Sequence, residues 1–372
     1  MKIAGTTPRR ESGMSLVELM VGMVIGLIGI VIITHIYLVN EQYKRATTSS
    51  GEANVNGAIA LYTIERDMRM AGFGINHSAA FGCDCDWVTT PGCSAIRYFY
   101  DNKYSVPPNA SLVNSRGALT LFPVVITDTP NQPDTISVFY GGSNERVLAS
   151  KLTDTMTSPG VDLKVEGNTG YEVGDLLVLV NSKTTPSTCS LMQLTQVTGA
   201  STLVHGTNIW NPAGGGTLPS HPQDSLIFDL GTPTWLTYGI VNGRLQVTDQ
   251  LAVLAGAVSQ DLVDDIVDLQ AVYGKDTTND DIPDVWDKAK PTSSVLWTQV
   301  IAIKFAVLAR SKEFVKPATA GGACTATTAA NKPTWSQGTF PTIEAAGALP
   351  SCYKYRVFET TVPLRNMIWR PE

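Results

Sequence analysis

The stretch Gly13–Val39, GMSLVELMVGMVIGLIGIVIITHIYLV, decides how this chain is built. Between Leu16 and Ile33 the only charged side chain is Glu18. A helix of about 20 predominantly apolar residues is long enough to cross the hydrocarbon core of a bilayer. The leader before it, residues 1–13, is short, polar and basic, which favours its retention in the cytoplasm. The sequence therefore predicts one membrane-spanning helix near the N-terminus.

Glu18 is the anomaly in this apolar segment. A carboxylate within a membrane span costs about 2.5–3.5 kcal/mol on insertion scales unless another group compensates for it. Glu18 follows Met14 by four residues, a spacing that places two side chains on the same face of a helix. Cleavage after Gly13 would give Met14 a new α-amino group, which could pair with Glu18 of the same or a neighbouring subunit. The alternative is an uncleaved signal anchor in which Glu18 lies near the membrane interface.

This arrangement resembles the class III signal of type IV prepilins and type II secretion pseudopilins. The resemblance implies that a membrane peptidase cuts after Gly13, that Met14 becomes the N-methylated first residue, and that Glu18, the fifth, acts in assembly. Two features depart from the family pattern. Met14 stands where most members have Phe, and the helix lacks the central proline of many major pilins.

Composition limits the function of the remaining chain, about 300 residues that can bury a sizeable core. The whole chain has 27 basic and 33 acidic residues and a net charge of -6, with no block of like charge. Nucleic acid is therefore not an expected partner, because phosphate binding requires clustered Lys and Arg. Beyond the apolar segment the chain is rich in Thr, Ser, Gly, Asn and Pro, as expected for an exported β protein.

Six cysteines indicate disulfide bonds in an exported domain. They are Cys83, Cys85, Cys93, Cys189, Cys324 and Cys352. We predict that Cys324 pairs with Cys352 and closes a Thr/Ala/Pro-rich loop, and we leave the pairing of the other four open. The alternative for Cys83, Cys85 and Cys93 is a metal site. Zinc sites usually have two to four residues between their ligands and include His partners, so this spacing fits zinc poorly.

Helical spacing continues beyond the membrane segment. We divide the chain into a leader (1–13), a membrane or filament-core helix (14–39), an amphipathic continuation (40–72) and an exported β-rich domain (73–372). In the continuation Leu61, Ile64, Met68 and Ala71 recur at helical intervals with Ile59 and Tyr62 beside them, and Gly72 then ends the helix. The middle, residues 46–57, has poor helix propensity and shows no packing stripe, so we interpret it as a weak or bendable section of one long helix whose second half packs on the globular domain. The alternative is two helices with a linker.

The rest of the chain predicts an antiparallel β domain, so the fold class is α+β and pilin-like. Strands are expected at Leu119–Ile126, Thr135–Tyr140, Arg146–Leu152, Asp175–Val180, Met192–Val197, Ser225–Leu230, Leu236–Val241, Leu262–Tyr273, Val300–Ala309 and Tyr355–Val362. Asn242-Gly243 predicts a tight hairpin. The alternation in Ile301–Val307 predicts a strand with one buried face. Residues 73–123 are predicted to form a stapled loop with short strands, and 317–351 a surface loop.

An Asp-rich segment, DTTNDDIPDVWD at 276–287, has the spacing of a calcium loop. Its candidate ligands are Asp276, Thr278, Asp280, the backbone carbonyl of Ile282, Asp284 and Asp287. Three positions depart from the pattern, since Thr278 replaces an acid or amide, Asp281 a glycine, and Asp287 a longer glutamate. The alternative is a solvated acidic hairpin loop. No cofactor is required, and calcium is the only one that the sequence suggests.

No motif predicts an enzyme. The four histidines, His35, His77, His205 and His221, lack the H-E-x-x-H spacing of zinc proteases. The chain also lacks a G-x-S-x-G elbow, a phosphate loop and a nucleotide fingerprint. A structural role is therefore the prediction.

Several segments, in order, resemble PilW, a large minor pilin. They are IERDMRMAGFG (64–74), GDLLVLV (174–180), DDIVDLQAVYGKDT (264–277), WTQVIAIKFAVLARS (297–311) and FETTVPLRN (358–366). The resemblance implies a low-abundance subunit of the complex that primes type IV pilus assembly and stays at the tip. Its implied partners are other minor pilins, the major pilin, a tip adhesin and the prepilin peptidase.

The resemblance also implies a location. The protein is expected in the inner membrane with its leader cytoplasmic and its β domain periplasmic, and later in the pilus at the cell surface. Two other classes remain open: a type II secretion pseudopilin, which shares the N-terminal signal, and a membrane-anchored adhesin or binding domain, which needs neither cleavage nor Glu18.

Overall fold

The computed structural model describes residues 14–75, 77, 121–143, 148–158, 160–181, 183, 188–206, 220–250, 258–315, 322–324, 326–341 and 352–368. Gly13, Cys83, Cys85 and Cys93 lie outside these residues, as does most of the predicted stapled loop.

The first described element is one long helix, α1 (Leu16–Met70). Ser15 is the N-cap of α1, and its Oγ accepts a hydrogen bond from the backbone N of Val17 at 3.2 Å. The helix ends at Ala71, and Gly72 follows with a φ of 79°, a left-handed conformation that glycine adopts without strain. The prediction of one long helix is confirmed, and the two-helix alternative is wrong.

The described residues also form two shorter α-helices, α2 (Ser294–Thr298) and α3 (Arg365–Ile368). The strands of the described residues are β1 (Val124–Thr127), β2 (Thr135–Tyr140), β3 (Ser150–Lys151), β4 (Leu163–Lys164), β5 (Leu176–Asn181), β6 (Thr188–Gln193), β7 (Gln196–Thr198), β8 (Thr202–Val204), β9 (Leu226–Gly231), β10 (Thr234–Val241), β11 (Arg244–Asp249), β12 (Gln260–Asp264), β13 (Ile266–Lys275), β14 (Val285–Asp287), β15 (Val300–Arg310), β16 (Thr334–Trp335), β17 (Gly338–Thr339) and β18 (Tyr355–Pro363).

The strands pair antiparallel in several sheets. A five-stranded sheet has the order β1-β2-β10-β11-β12, and a four-stranded sheet the order β14-β13-β15-β18. The predicted hairpin at Asn242-Gly243 joins β10 to β11, and both of its central residues have positive φ (52° and 74°). The α+β fold class is confirmed.

The predicted single strand Leu262–Tyr273 is wrong. The chain leaves the five-stranded sheet at Asp264, turns at Asp265 with a φ of 60°, and enters the four-stranded sheet at Ile266. Aspartate tolerates this conformation better than most side chains. A single residue separates the two strands, so the sequence was interpreted as one strand although the chain crosses between two sheets.

The C-terminal half of α1 packs on the four-stranded sheet, chiefly on β18 and β15. Ile64, Met68 and Ala71 are fully buried, as predicted. The prediction that residues 46–57 carry no packing stripe is wrong, because Ser49, Ala53 and Gly57 are also buried and follow one another at intervals of four. Small residues form this part of the contact, so a search for large apolar residues misses it.

Strand β15 is buried on both faces, so the prediction of one buried face is wrong. Phe305 and Val307 belong to the main core, whereas Ala306 and Leu308 lie in a separate cluster. That cluster also contains Trp335 of β16 and Phe340, which come from the predicted surface loop. The described part of that loop therefore covers the second face of the sheet.

A second β unit lies between residues 148 and 231. Its sheets have the orders β3-β9-β5-β6 and β4-β8-β7. Strand β5 joins this unit to the main domain, because Leu176, Val178 and Val180 belong to the main core while Leu177 and Leu179 belong to a second core. The side-chain alternation of one strand thus holds two cores together.

Candidate functional site

The N-terminal half of α1 is exposed and apolar. Its segment Leu16–Glu41 is long and apolar enough to cross a membrane, and none of its most apolar window is buried against the rest of the protein. The predicted helical segment at 14–39 is thus placed where nothing in the described chain covers it. A helix that is apolar on all sides requires lipid or other helices around it.

Glu18 lies in the first turn of α1 and is exposed. It forms no ion pair with another described residue of this chain. Met14 lies just before the helix, about one turn below Glu18, since four residues rise about 6 Å. An amine on Met14 would therefore be near the carboxylate. Cleavage after Gly13 stays a prediction.

A buried aspartate joins the second half of α1 to the five-stranded sheet. Asp67 is 4% exposed and accepts hydrogen bonds from the Tyr238 hydroxyl of β10 and from the Arg66 Nε at 3.0 Å. Burial, followed by the hydrogen bond to Asp67, raises the pKa of Tyr238. These bonds are directional, so they fix the rotation of α1 about its own axis.

The C-terminal end of α1 is held by the last motif of the chain. The Asn366 side-chain Nδ2 donates to the carbonyl oxygens of Met70 at 3.2 Å and of Ala71 at 3.1 Å. Helix carbonyls in the last turn lack intrahelical partners, and this amide supplies them. The sequence segments that contain Asp67 and Asn366 were recognised, but their roles were missed. The available signal for Asp67 was a charged residue between Ile64 and Met68, on the face assigned to the core.

The predicted calcium loop connects β13 to β14. Asp276 is 5% exposed, and its carboxylate accepts backbone N–H groups from Asn279 at 2.6 Å, Asp280 at 3.3 Å and Asp281 at 2.8 Å. Desolvation raises the pKa of Asp276, but these amide hydrogen bonds outweigh it and hold the pKa below its usual range. Asp281, which stands in the glycine position of the pattern, has a φ of 62° and so adopts the conformation expected there.

The other predicted ligands also have partners within the loop. Asp284 accepts hydrogen bonds from Thr277, and Asp280 accepts one from the Ile282 backbone N at 3.0 Å. Asp287 pairs with Lys275 at 2.6 Å. Thr278 donates its hydroxyl to Asp276 at 3.4 Å, and Ile282 itself is exposed. Among the described residues, no group of three or more His, Cys, Asp or Glu side chains is arranged to hold a metal ion. Calcium binding stays a prediction.

A buried polar cluster lies between the two large sheets. Asp134 is fully buried, accepts the Ala271 backbone N–H at 2.8 Å, and pairs with Lys288 at 3.0 Å. Lys288 also contacts Asp128 at 2.9 Å and the Gln270 Oε1 at 2.6 Å. Burial raises the pKa of Asp134 to about 6, although the amide and the lysine oppose it. The cluster thus links the residue before β2 to β13 through buried polar contacts.

The predicted disulfide between Cys324 and Cys352 is present, with a Cα–Cα distance of 4.8 Å. It joins residues 28 positions apart and closes the segment that contributes Trp335 and Phe340 to the sheet cover. Cys189, in β6, is fully buried and disulfide-bonded. The alternative metal site falls on Cys83, Cys85 and Cys93, which lie outside the described residues.

Within the part of the chain that the structure describes, one serine–histidine pair is buried in the protein. Ser190 Oγ lies 2.8 Å from His221 Nε2, and both residues are fully buried. Burial lowers the pKa of His221 to about 4. A nucleophile sealed from solvent cannot meet a substrate, so this pair gives no support for catalysis.

Comparison with known proteins gives two family matches. Residues 8–34 match the prokaryotic N-terminal methylation motif, and residues 244–366 match PilW, the type IV pilus-assembly protein W. No curated protein and no solved structure matches. The first match covers the leader and the segment containing Glu18, and the second covers the whole helix-bearing sheet. Residues 244–366 are thus similar to PilW and residues 8–34 to prepilin N-termini, and together the two matches support a PilW-family type IV pilin.

Proposed function

We propose that this chain is a minor pilin that assembles through α1 into the type IV pilus, in the complex that starts assembly and stays at the tip. One observation carries the proposal: a single unbroken helix joins an exposed apolar segment, Leu16–Glu41, to a β domain whose helix-bearing sheet lies within the PilW match. The apolar half needs other helices or lipid around it, and the β domain occupies only the other half.

Glu18 sets the position of each subunit along the filament axis relative to its neighbours. The prepilin peptidase removes the leader after Gly13 in the inner membrane and frees the Met14 amine, which is then N-methylated. Glu18 pairs with this amine or with the amine of a neighbouring subunit. An unpaired carboxylate stays costly in a medium of low dielectric constant, so subunits shifted along the filament axis are disfavoured.

The proposed partners follow from the same helix. Other minor pilins and the major pilin contribute parallel apolar helices to the filament core, and a tip adhesin binds outside it. Before assembly the chain spans the inner membrane with its β domain in the periplasm, and afterwards it lies in the pilus at the cell surface.

The test of assembly is Glu18→Ala, with Glu52→Ala as the matched control. Glu52 is an exposed glutamate on the same helix but outside the apolar segment. We expect Glu18→Ala to accumulate in the membrane fraction and to be depleted from sheared pili, whereas Glu52→Ala enters pili normally. Normal incorporation of Glu18→Ala would refute the role of the carboxylate.

A second measurement tests the starting role. A subunit that starts assembly controls how many pili form, whereas a subunit that elongates them controls their length. Deletion of this chain should therefore reduce the number of pili per cell and leave their length distribution unchanged. Shorter pili in normal number would contradict the starting role. N-terminal sequencing of protein recovered from pili should give N-methylated Met14 as the first residue.

A further inference from the structure

The face of α1 that points away from the sheet carries an exposed apolar ridge, formed by Val55, Ile59 and Tyr62. Their side chains are 58%, 48% and 67% exposed. Intervals of four and three residues place them in one line on the helix surface. A helix that packs by one face on a sheet is normally polar on the other, so this ridge requires an explanation.

The ridge is not an extension of the core. Ser49, Ala53 and Gly57 face the sheet, and at 3.6 residues per turn the ridge lies about 150° around the helix from them. No described residue of this chain buries Val55, Ile59 or Tyr62. The ridge also lies too far along the helix for lipid, because Val55 follows the end of the apolar segment at Glu41 by about 20 Å.

The ridge continues a face that begins in the membrane half. Gly22, Gly26 and Gly29 lie on the same side of the helix as the ridge, on average about 60° from it around the helix axis. A Cβ atom built on any of these three glycines meets nothing within 4 Å. Small residues on a membrane helix let a second helix approach closely. A helix lying parallel to α1 along this face in the membrane would reach the ridge about 20 Å further on, because α1 has no break between the two halves.

We propose that Val55, Ile59 and Tyr62 dock against the helix of a neighbouring pilin subunit that runs parallel to α1. The contact between helices thus begins in the membrane half and continues beside the β domain. This inference rests on the proposed function, because the occupant is a pilin helix. It adds the residues through which α1 contacts the neighbouring helix outside the membrane.

The first experiment identifies the occupant. A photo-crosslinking phenylalanine analogue replaces Tyr62 in the full chain, in cells that make pili, and the same analogue at Val173 serves as the control. Val173 is 65% exposed but precedes β5 in the second β unit. We expect irradiation to join position 62 to the helical segment of another pilin, and position 173 to give no such product. A product within the same chain, or no pilin product at position 62, would overturn the proposal.

The second experiment measures the effect on assembly. Val55→Lys introduces a charge into the ridge, and Val173→Lys makes the same change at a matched exposed valine. Both variants should keep the thermal unfolding of the unaltered protein, because both sites are exposed. Val55→Lys should fall about tenfold in sheared pili relative to the membrane fraction, which corresponds to about 1.4 kcal/mol, and Val173→Lys should not change.

Glu18→Ala, measured in parallel, separates the two proposals. If Glu18→Ala is excluded from pili while Val55→Lys enters normally, the ridge is not a docking surface and the proposed function stands. If both variants enter normally, assembly through α1 is wrong, and the ridge proposal is overturned with it.

Discussion

The two halves of α1 meet different surroundings although they form one helix. The first, Leu16–Glu41, is apolar on every side and buries nothing against the described chain. The second buries one narrow face, and the buried residues include small and polar ones such as Ser49, Gly57 and Asp67. The second half of α1 is thus held on the sheets by close approach and directed hydrogen bonds, whereas the first half makes no such contacts with the described chain.

Glycine illustrates the contrast. A Cβ atom at Gly57 would overlap the Phe358 ring of β18. Cβ atoms at Gly26, in the exposed half, and at Gly51, in the second half, meet nothing within 4 Å. Gly57 is therefore a contact residue between helix and sheet, and the glycines of the exposed half are open for contacts that this chain does not make.

The largest expected effect is that of Gly57→Val. The added side chain would overlap Phe358 and push the helix away from β18 and β15, which should cost about 3 kcal/mol of unfolding free energy. Denaturant unfolding of the purified protein in detergent measures this loss. Gly51→Val and Gly26→Val are the controls and should leave the unfolding of the β domain nearly unchanged. An equal loss in all three variants would show that helix propensity, and not the contact with Phe358, decides stability.

The next effect is a pH dependence of unfolding that comes from Asp134 in the β domain and not from α1. The pKa of Asp134 is about 6 in the folded protein and about 3.8 in the unfolded chain, so the folded state binds the proton more tightly. The stabilisation from Asp134 is therefore fully present below about pH 3.8 and is lost as the pH rises through about 6. It amounts to something on the order of 2 kcal/mol. Unfolding measured between these pH values should show this fall, and Asp134→Asn should remove most of it. An unchanged pH profile in Asp134→Asn would assign the effect to another group.

A smaller effect is expected for Tyr238→Phe. The substitution removes the hydroxyl that donates to buried Asp67, which should cost about 1.5 kcal/mol. Tyr62→Phe is the matched control on the exposed face and should leave the unfolding free energy unchanged. If the two variants lose the same stability, the bond between α1 and β10 does not hold the helix.

The smallest effect is predicted for calcium. If the loop after β13 binds the ion, calcium at ten times its dissociation constant should raise the unfolding free energy by about 1.4 kcal/mol. Asp280→Ala should abolish this increase, and Glu52→Ala, an acidic change on α1, should not. Calorimetric titration of the unaltered protein gives the dissociation constant. A flat titration would leave the Asp-rich segment as a loop held by its own amide hydrogen bonds.

The local signals in the sequence predicted much of the fold. The spacing of Ile64, Met68 and Ala71 gave the buried face of α1, Gly72 gave its end, and Asn242-Gly243 gave the β10–β11 hairpin. Each of these features depends on a few residues that are neighbours in the sequence, so the local sequence is enough to predict it.

The features that were missed depend on contacts between distant residues. Asp67 accepts a hydrogen bond from Tyr238, and the carbonyl groups at the end of α1 accept hydrogen bonds from Asn366, nearly 300 positions away. The crossing at Asp265 was missed because only one residue separates β12 from β13, and the sheet that each strand joins depends on distant partners. The second buried face of β15 depends on Trp335 and Phe340, which come from a segment that reads as a loop.

The absence of a break in α1 has a mechanical consequence. A pull on the apolar half of one subunit is carried along the helix axis and reaches the β domain as shear along the residues from Ser49 to Ala71, over about 33 Å. Shear loads many contacts at once, whereas peeling would load them one after another. The Asn366 amide and the Tyr238 hydroxyl lie near the far end of this overlap, and under shear they share the load with the small-residue contacts nearer the membrane.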